Sequence, residues 1–259
     1  MKKTLLLLTF LAVAGMSSTS AQAATHYVSG FGGVSWMQNM KTSETYIFST
    51  AGEDNNTSNF DLDSGLAVTG AIGCDYGNYR LEAEVGFQTN SVKSGIDFTD
   101  GVADTFVYDA AGHRSASYAM RGDVSVLSLM GNGYYDFDLG SKVELYATAG
   151  VGVAQVSFHN VNWTESWEQE GQSGPYINHP RLDPGFNGHE TTLAWQVGAG
   201  IAAPISDTVK LDLRYRYFAT TDFTVADFGE FITNHETNTN SRNTNISSHS
   251  VLLGLRVDF

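Results

Sequence analysis

The chain closes on a strict alternation. Over positions 250–259 the odd residues Val251, Leu253, Leu255, Val257 and Phe259 are all apolar, while the even ones include Ser250, Gly254, Arg256 and Asp258. Side chains alternate faces along a β-strand, so this segment presents one apolar face and one polar face. The same period of two recurs upstream. Tyr79, Leu81, Ala83, Val85 and Phe87 alternate with Arg80, Glu82, Glu84 and Gln88. Val209, Leu211, Leu213, Tyr215 and Tyr217 alternate with Lys210, Asp212, Arg214 and Arg216. Val143, Leu145, Ala147, Ala149, Val151 and Val153 oppose Glu144, Tyr146, Thr148, Gly150 and Gly152, and Leu193, Trp195, Val197, Ala199 and Ile201 oppose Gln196, Gly198 and Gly200. A softer pattern sets Leu127, Leu129, Tyr135 and Phe137 against Ser128, Asn132 and Asp136, and Leu66, Val68, Ile72 and Cys74 share a face. The first segment, His26 to Trp36, is too rich in glycine for its facing to be read. Eight strands are expected in all.

The spacers alternate in length. Asp75-Tyr76-Gly77-Asn78, Asp138-Leu139-Gly140-Ser141 and Pro204-Ile205-Ser206-Asp207 are short and made of turn formers. Long polar stretches run near 37–63, 90–121, 157–190 and 219–246. Three short turns and four long connections suit an even-numbered barrel with both termini on one side. The expectation is therefore an all-β, eight-stranded antiparallel up-and-down transmembrane β-barrel, with four long extracellular loops and three short periplasmic turns. A closed sheet pairs every backbone group inside a bilayer without helices. No stretch beyond the amino terminus is apolar enough for a transmembrane helix. A soluble lipocalin-like barrel would be polar outside, which the apolar faces oppose. The 27 glycines and 12% aromatic content suit a tightly curved sheet with interfacial girdles.

Lys2 and Lys3 precede an apolar run from Leu5 to Ala14, and small residues follow as far as Ala21-Gln22-Ala23. That pattern predicts a secretory signal peptide over 1–23, cut after Ala23, leaving 24–259 as the barrel domain. The apolar run is shorter than the ~20 residues a helical span needs, and no Cys near the cleavage site invites a lipid anchor. Removing Lys2 and Lys3 makes the net charge of −14 still more negative, a poor match for nucleic acid. Cys74 stands alone, so no internal disulfide can form.

Ala194-Trp195-Gln196-Val197-Gly198-Ala199-Gly200, Leu211-Asp212-Leu213-Arg214-Tyr215-Arg216-Tyr217-Phe218 and Gly254-Leu255-Arg256-Val257-Asp258-Phe259 resemble the small outer-membrane β-barrel family that includes OmpA-like and Opa-like transmembrane domains. Surface antigens of host-associated bacteria look similar. The resemblance covers essentially the whole mature chain. It implies a bacterial outer-membrane location, export followed by insertion, and a terminal Phe259 read by the barrel assembly machinery. The implied partners are outer-membrane lipid, lipopolysaccharide and host or environmental surface ligands. It implies no family active site and no cofactor, and the family holds adhesive and porin-like members alike.

Three groups of residues could carry function. The first is the inward charge set: Arg80, Lys210, Arg214, Arg216 and Arg256 against Glu82, Glu84, Glu144, Asp212 and Asp258. In a ring of eight, the third and seventh strands lie on opposite walls, so Glu82 and Glu84 can reach Arg214 and Arg216. The set could line a pore, gate one by exchanging ion pairs, or neutralise itself as a plug. Near-balanced signs, inward Leu252 and Phe218, and an interior that side chains largely fill favour the plug. The second group is Ser247 and His249, whose spacing puts them on one strand face as a lipid-A-deacylase-like pair would need. A Ser–His nucleophile also needs an orienting third group, and none is evident. The third is the loop stretch carrying Trp163 and Trp167, with Tyr176 beyond it, as interaction candidates. His26, His113, His159, His179 and His189 are scattered without metal-site spacing, so no metal is expected. Surface interaction through the loops leads. A small diffusion channel is the alternative, and a lipid-modifying enzyme is third.

Overall fold

The computed structural model describes residues 24–38, 40–48, 52–93, 113–140, 142–169, 172–176, 186–225 and 242–259. In chain order the strands are β1 (Thr25–Met37), β2 (Met40–Phe48), β3 (Gly52–Leu62), β4 (Ser64–Asp75), β5 (Tyr79–Lys93), β6 (His113–Phe137), β7 (Glu144–Gln169), β8 (Gln172–Tyr176), β9 (Phe186–Pro204), β10 (Val209–Thr220), β11 (Phe223–Val225), β12 (Arg242–Thr244) and β13 (Ser247–Asp258). Eight of them close a ring. β1 pairs with β4, β4 with β5, β5 with β6, β6 with β7, β7 with β9, β9 with β10, β10 with β13, and β13 returns to β1, every pair antiparallel.

Two of the short turns share one local chemistry. The Asp75 carboxylate accepts the amide of Gly77 at 2.8 Å, and Asp138 accepts that of Gly140 at 2.9 Å. Both glycines sit at positive φ, 91° and 63°, where a Cβ is disfavoured. In the third turn Ser206 Oγ accepts the amide of Val209 at 3.1 Å.

Facing follows the alternation. Leu81, Val85, Leu211, Leu213, Val251, Leu253 and Leu255 are exposed around the outer wall, while Arg80, Glu82, Glu84, Asp212, Arg214 and Arg256 are buried inside it. The first strand, unreadable from sequence, turns Tyr27, Ser29, Phe31, Ser35 and Met37 inward and Val28, Val34 and Trp36 outward. Inward glycines make room for its rings. A Cβ on Gly254 would overlap both the Gly30 carbonyl oxygen and the Phe31 ring. Because one of those neighbours is backbone, Gly254→Val is expected to cost about 1–3 kcal/mol. Urea unfolding from lipid vesicles reads that cost as an earlier midpoint.

The structure differs from the sequence expectation at the extracellular end. The stretches 37–63, 90–121, 157–190 and 219–246, expected as loops, carry long strand extensions. β6 has 25 residues and β7 has 26, against the ~9–11 that cross a bilayer. Their pairing runs up to His113↔Gln169 past a bulge at Arg121/Asp123. β2 and β3 form a hairpin from Met40↔Phe60 to Phe48↔Gly52, joined to β12 at Asn243↔Ser43 and to β5 at Asp61↔Lys93 and Leu62↔Val92. Above the lipid neither sheet face is forced to be apolar, so the period-two signal stops where pairing continues. In β3 the run Glu53-Asp54-Asn55-Asn56 opposes strand on propensity, and its hairpin partner overrides that.

The interior has two storeys. The lower is polar. The upper, toward the long connections, is apolar: Met37, Val126, Val156, Phe158, Phe218 and Ile246 belong to one buried cluster. The inward face is thus not polar throughout, contrary to a simple in-polar, out-apolar rule.

Candidate functional site

The polar storey is built from the inward positions of β1, β5, β6, β7, β9, β10 and β13. At the periplasmic end Lys210 Nζ donates to Glu144 Oε1 at 2.5 Å and lies 3.5 Å from Asp258 Oδ2. Arg256 Nη2 also pairs with Glu144, and Arg256 Nε lies 3.8 Å from Asp258 Oδ1. Arg80 takes a different partner. Its Nε and Nη2 form a two-pronged contact with Asp136, both at 2.7 Å.

One level up, Glu82 is held mostly by neutral donors. Tyr134 Oη donates to it at 2.6 Å, Tyr27 Oη at 3.1 Å, and Ser29 Oγ and Asn132 Nδ2 each at 3.3 Å. Asp212 accepts the Tyr146 hydroxyl at 2.5 Å, and that hydroxyl accepts Arg214 Nε at 3.2 Å. Above them Glu84 sits at the centre. Its Oε2 accepts Arg214 Nη1 at 3.0 Å, its Oε1 accepts Gln196 Nε2 at 3.1 Å, and Arg216 Nη1 lies 3.6 Å away. Arg214 Nη1 is 3.9 Å from Glu82. The guanidinium of Arg214 lies 4.0 Å from the Phe31 ring centroid, and that of Arg80 lies 4.4 Å from Tyr134, distances at which cation–π attraction operates.

The cross-barrel contacts join β5 to β10, on opposite walls. Glu82 and Glu84 meet Arg214 and Arg216, whereas Lys210, Arg256, Glu144 and Asp258 form a separate group below. Several members of the site are uncharged: Tyr27, Phe31, Asn132, Tyr134, Tyr146 and Gln196. For Asn132, Tyr134, Tyr146 and Gln196 a count of inward polar and aromatic positions, rather than of charges alone, would have found them, whereas Tyr27 and Phe31 lie on the strand whose facing the sequence hides. Burial decides the energetics. Arg80, Arg214 and Arg216 are 1%, 2% and 3% exposed, and a charge removed from water that far persists only with partners.

The other sequence candidates lie elsewhere. Ser247 and His249 do not bond each other. Ser247 Oγ donates to Gln38 Oε1 at 2.9 Å, and His249 bonds Gln38 through Nε2 and Tyr215 through Nδ1 at 2.9 and 2.6 Å. Trp163 and Trp167 fall on the extracellular extension of β7 and Tyr176 on β8; their side chains lie outside the described residues. Phe259 is exposed at the periplasmic edge, its amide donating to His26 O at 2.8 Å. Among the described residues no three His, Cys, Asp or Glu side chains cluster as a metal site would require.

A closed eight-stranded ring, apolar outside and ion-paired within, is a transmembrane barrel. The sequence pattern of the outer membrane protein β-barrel domain matches residues 6–259, and the chain belongs to that family. Among solved structures, OprG from Pseudomonas aeruginosa is similar with a TM-score of 0.51 at 12% identity, over 91% of this chain and 96% of that one. Neisserial surface protein A gives 0.44 at 18%, over 92% and 100%. Ail of Yersinia pestis, crystallised with the heparin analogue sucrose octasulfate, gives 0.33 at 12%, over 89% and 99%. At such identities the likeness is one of fold. No curated protein matches the chain.

Proposed function

We propose that this protein is a membrane-anchored surface protein of the adhesin or surface-antigen type, which interacts through its extracellular strand extensions and does not conduct through its barrel. The observation that carries this reading is the filled lumen. Ion-paired side chains occupy the lower storey and an apolar cluster occupies the upper. Between them, beside Gly86, Gln88, Ser128 and Arg216, the side chains leave no space that a water molecule fits. A small diffusion channel would need those side chains to move apart. The long β6–β7 ribbon and the β2–β3 hairpin offer a paired backbone platform above the membrane, and Trp163, Trp167 and Tyr176 are the proposed contact residues for host or environmental surface ligands.

The same reading includes export by a signal peptide cleaved after Ala23, insertion by the barrel assembly machinery with Phe259 as the terminal aromatic, and contact with outer-membrane lipid and lipopolysaccharide. No enzymatic step is part of it.

The test is a register-matched shortening. Deleting Ser115–Met120 together with Trp163–Glu168 removes opposed positions of β6 and β7 and leaves the spanning wall intact. The shortened barrel is expected to insert normally but to bind host cells or extracellular matrix at least about ten-fold less well, a loss of ~1.4 kcal/mol. Unchanged binding, or no binding by the full chain, would overturn the reading.

A further inference from the structure

Val124 and Val126 are buried in the apolar storey, so Ser125 between them belongs to the outer face of β6. On β7 the same alternation buries Phe158 and turns Ser157 and His159 outward. Ser125 Oγ and His159 Nε2 lie 3.0 Å apart across the two strands. Asp123 stands directly opposite His159 in register, and Ser157 directly opposite Ser125. The Asp123 carboxylate is itself held, since Ser91 Oγ donates to its Oδ1 at 2.8 Å. A hydroxyl, an imidazole and a fixed carboxylate therefore share one outer face. Ser247 and His249, the pair singled out by spacing, do not touch; Ser125 and His159, on different strands, do.

A local distortion aims the imidazole. His159 is the last residue of β7 to pair with β6 before the register shifts, and the next residue, Asn160, adopts a φ of 47°. Asn187 Oδ1 accepts the Asn160 amide at 3.0 Å and holds the bend. Bulges re-aim side chains, and a non-glycine residue in the left-handed region persists only where its surroundings impose it, typically at functional sites. Here His159 reaches past Asp123, its partner in register, to Ser125 on the diagonal. Ser125 is 8% exposed, which shields the hydroxyl, while His159 is open to solvent. An exposed neutral imidazole exchanges its hydrogen between its two nitrogens, and the form with Nε2 bare is the base. Directly below on the same face lie Phe87 and Leu127, opposite each other, and then Leu129, all exposed. Beside the serine, Ser157 and the exposed Gln155 offer a hydroxyl and an amide on that face.

We propose that Ser125 and His159 are the nucleophile and general base of an esterase site on the outer wall, acting on the acyl ester of an amphiphile. The acyl chain lies along Leu127, Phe87 and Leu129, which places its carbonyl at Ser125. Ser125 Oγ attacks the carbonyl carbon and its proton passes to His159 Nε2. The carbon–oxygen bond to the alcohol breaks, and the alcohol leaves with that proton. Water, deprotonated by the same nitrogen, then releases the carboxylic acid and restores the serine. The Ser157 hydroxyl and Gln155 amide donate to the oxyanion. Asp123 is a positioning residue, favouring the imidazolium from across the strand pair. The proposal rests on the outer-membrane placement of the wall and is independent of what the extracellular extensions bind.

The experiment treats the folded full chain in detergent micelles with a fluorophosphonate, and in parallel with p-nitrophenyl dodecanoate and p-nitrophenyl butyrate. Peptide mass spectrometry is expected to place the phosphonyl adduct on Ser125. The dodecanoate should turn over with a kcat/KM at least about ten-fold above that of the butyrate, because only its chain covers the apolar floor. Ser125→Ala should remove both adduct and turnover. His159→Gln should slow both by about 100-fold, with normal heat-modified migration on gels. Asp123→Asn should lower kcat at unchanged KM. Ser247→Ala, at the top of β13, should react as wild type. If Ser125→Ala fails to fold, the position of the adduct in the wild type decides. No adduct on Ser125, labelling that is indifferent to His159→Gln, or equal rates for the two esters would overturn the proposal.

Discussion

Glu84→Ala is expected to destabilise the inserted barrel by about 3–5 kcal/mol. Glu84 is fully buried and receives Arg214 at 3.0 Å, Gln196 at 3.1 Å and Arg216 at 3.6 Å. Truncating it leaves two guanidinium groups inside the wall without their shared carboxylate, and neither reaches water. The cost of such an orphan exceeds the net worth of the pair, because both charges gave up their hydration to enter. A variant that replaces the set together, Glu84→Leu with Arg214→Met and Arg216→Met, should therefore recover much of the loss. Urea unfolding from lipid vesicles measures both. A shift below about 1 kcal/mol for Glu84→Ala would mean that the ion network does not hold the lumen.

Adjacent residues of one strand should respond in opposite ways. Leu213 is 43% exposed on the outer wall, and Arg214 is 2% exposed inside. Leu213→Arg puts a guanidinium against hydrocarbon, at about 2–4 kcal/mol near the bilayer midplane, and is expected to lower the inserted fraction sharply. Arg214→Leu adds no charge to the lipid face. Glu84 keeps Arg216 and Gln196, and Glu82 keeps its hydroxyl and amide donors, so insertion should remain close to wild type. Heat-modified migration on gels after folding into vesicles scores the two. Equal impairment would mean that the facing of β10 is wrong.

Much of the wall was legible because a bilayer outside and a filled lumen inside impose opposite demands on neighbouring residues. Leu211, Asp212, Leu213, Arg214, Tyr215 and Arg216 carry that contrast in full. Three features were not legible. β1 hid its facing because Gly30, Gly32 and Gly33 carry no polarity and its inward Phe31 is apolar, placed there by the space at Gly254 and the guanidinium of Arg214. The upper storey mimicked no pattern, since Val124, Val126, Leu127, Leu129 and Met130 are apolar on both faces of β6. The strand extensions at the extracellular end were missed because no hydrocarbon there enforces the alternation, while backbone pairing needs none. Within the network, charge counting identified Glu82, Glu84, Arg214 and Arg216. It overlooked the neutral donors Tyr27, Tyr134 and Asn132, whose hydroxyl and amide groups supply most of the hydrogen bonds to Glu82.

The proposal that the lumen is sealed is most directly tested by recording single-channel current from the purified full chain in a planar lipid bilayer at modest voltage. The packed ion network and the apolar storey above it predict silence, with no persistent conducting state. A stable open level under those conditions would contradict the account, since no ion can pass while Arg214, Arg216 and Glu84 remain joined across the barrel.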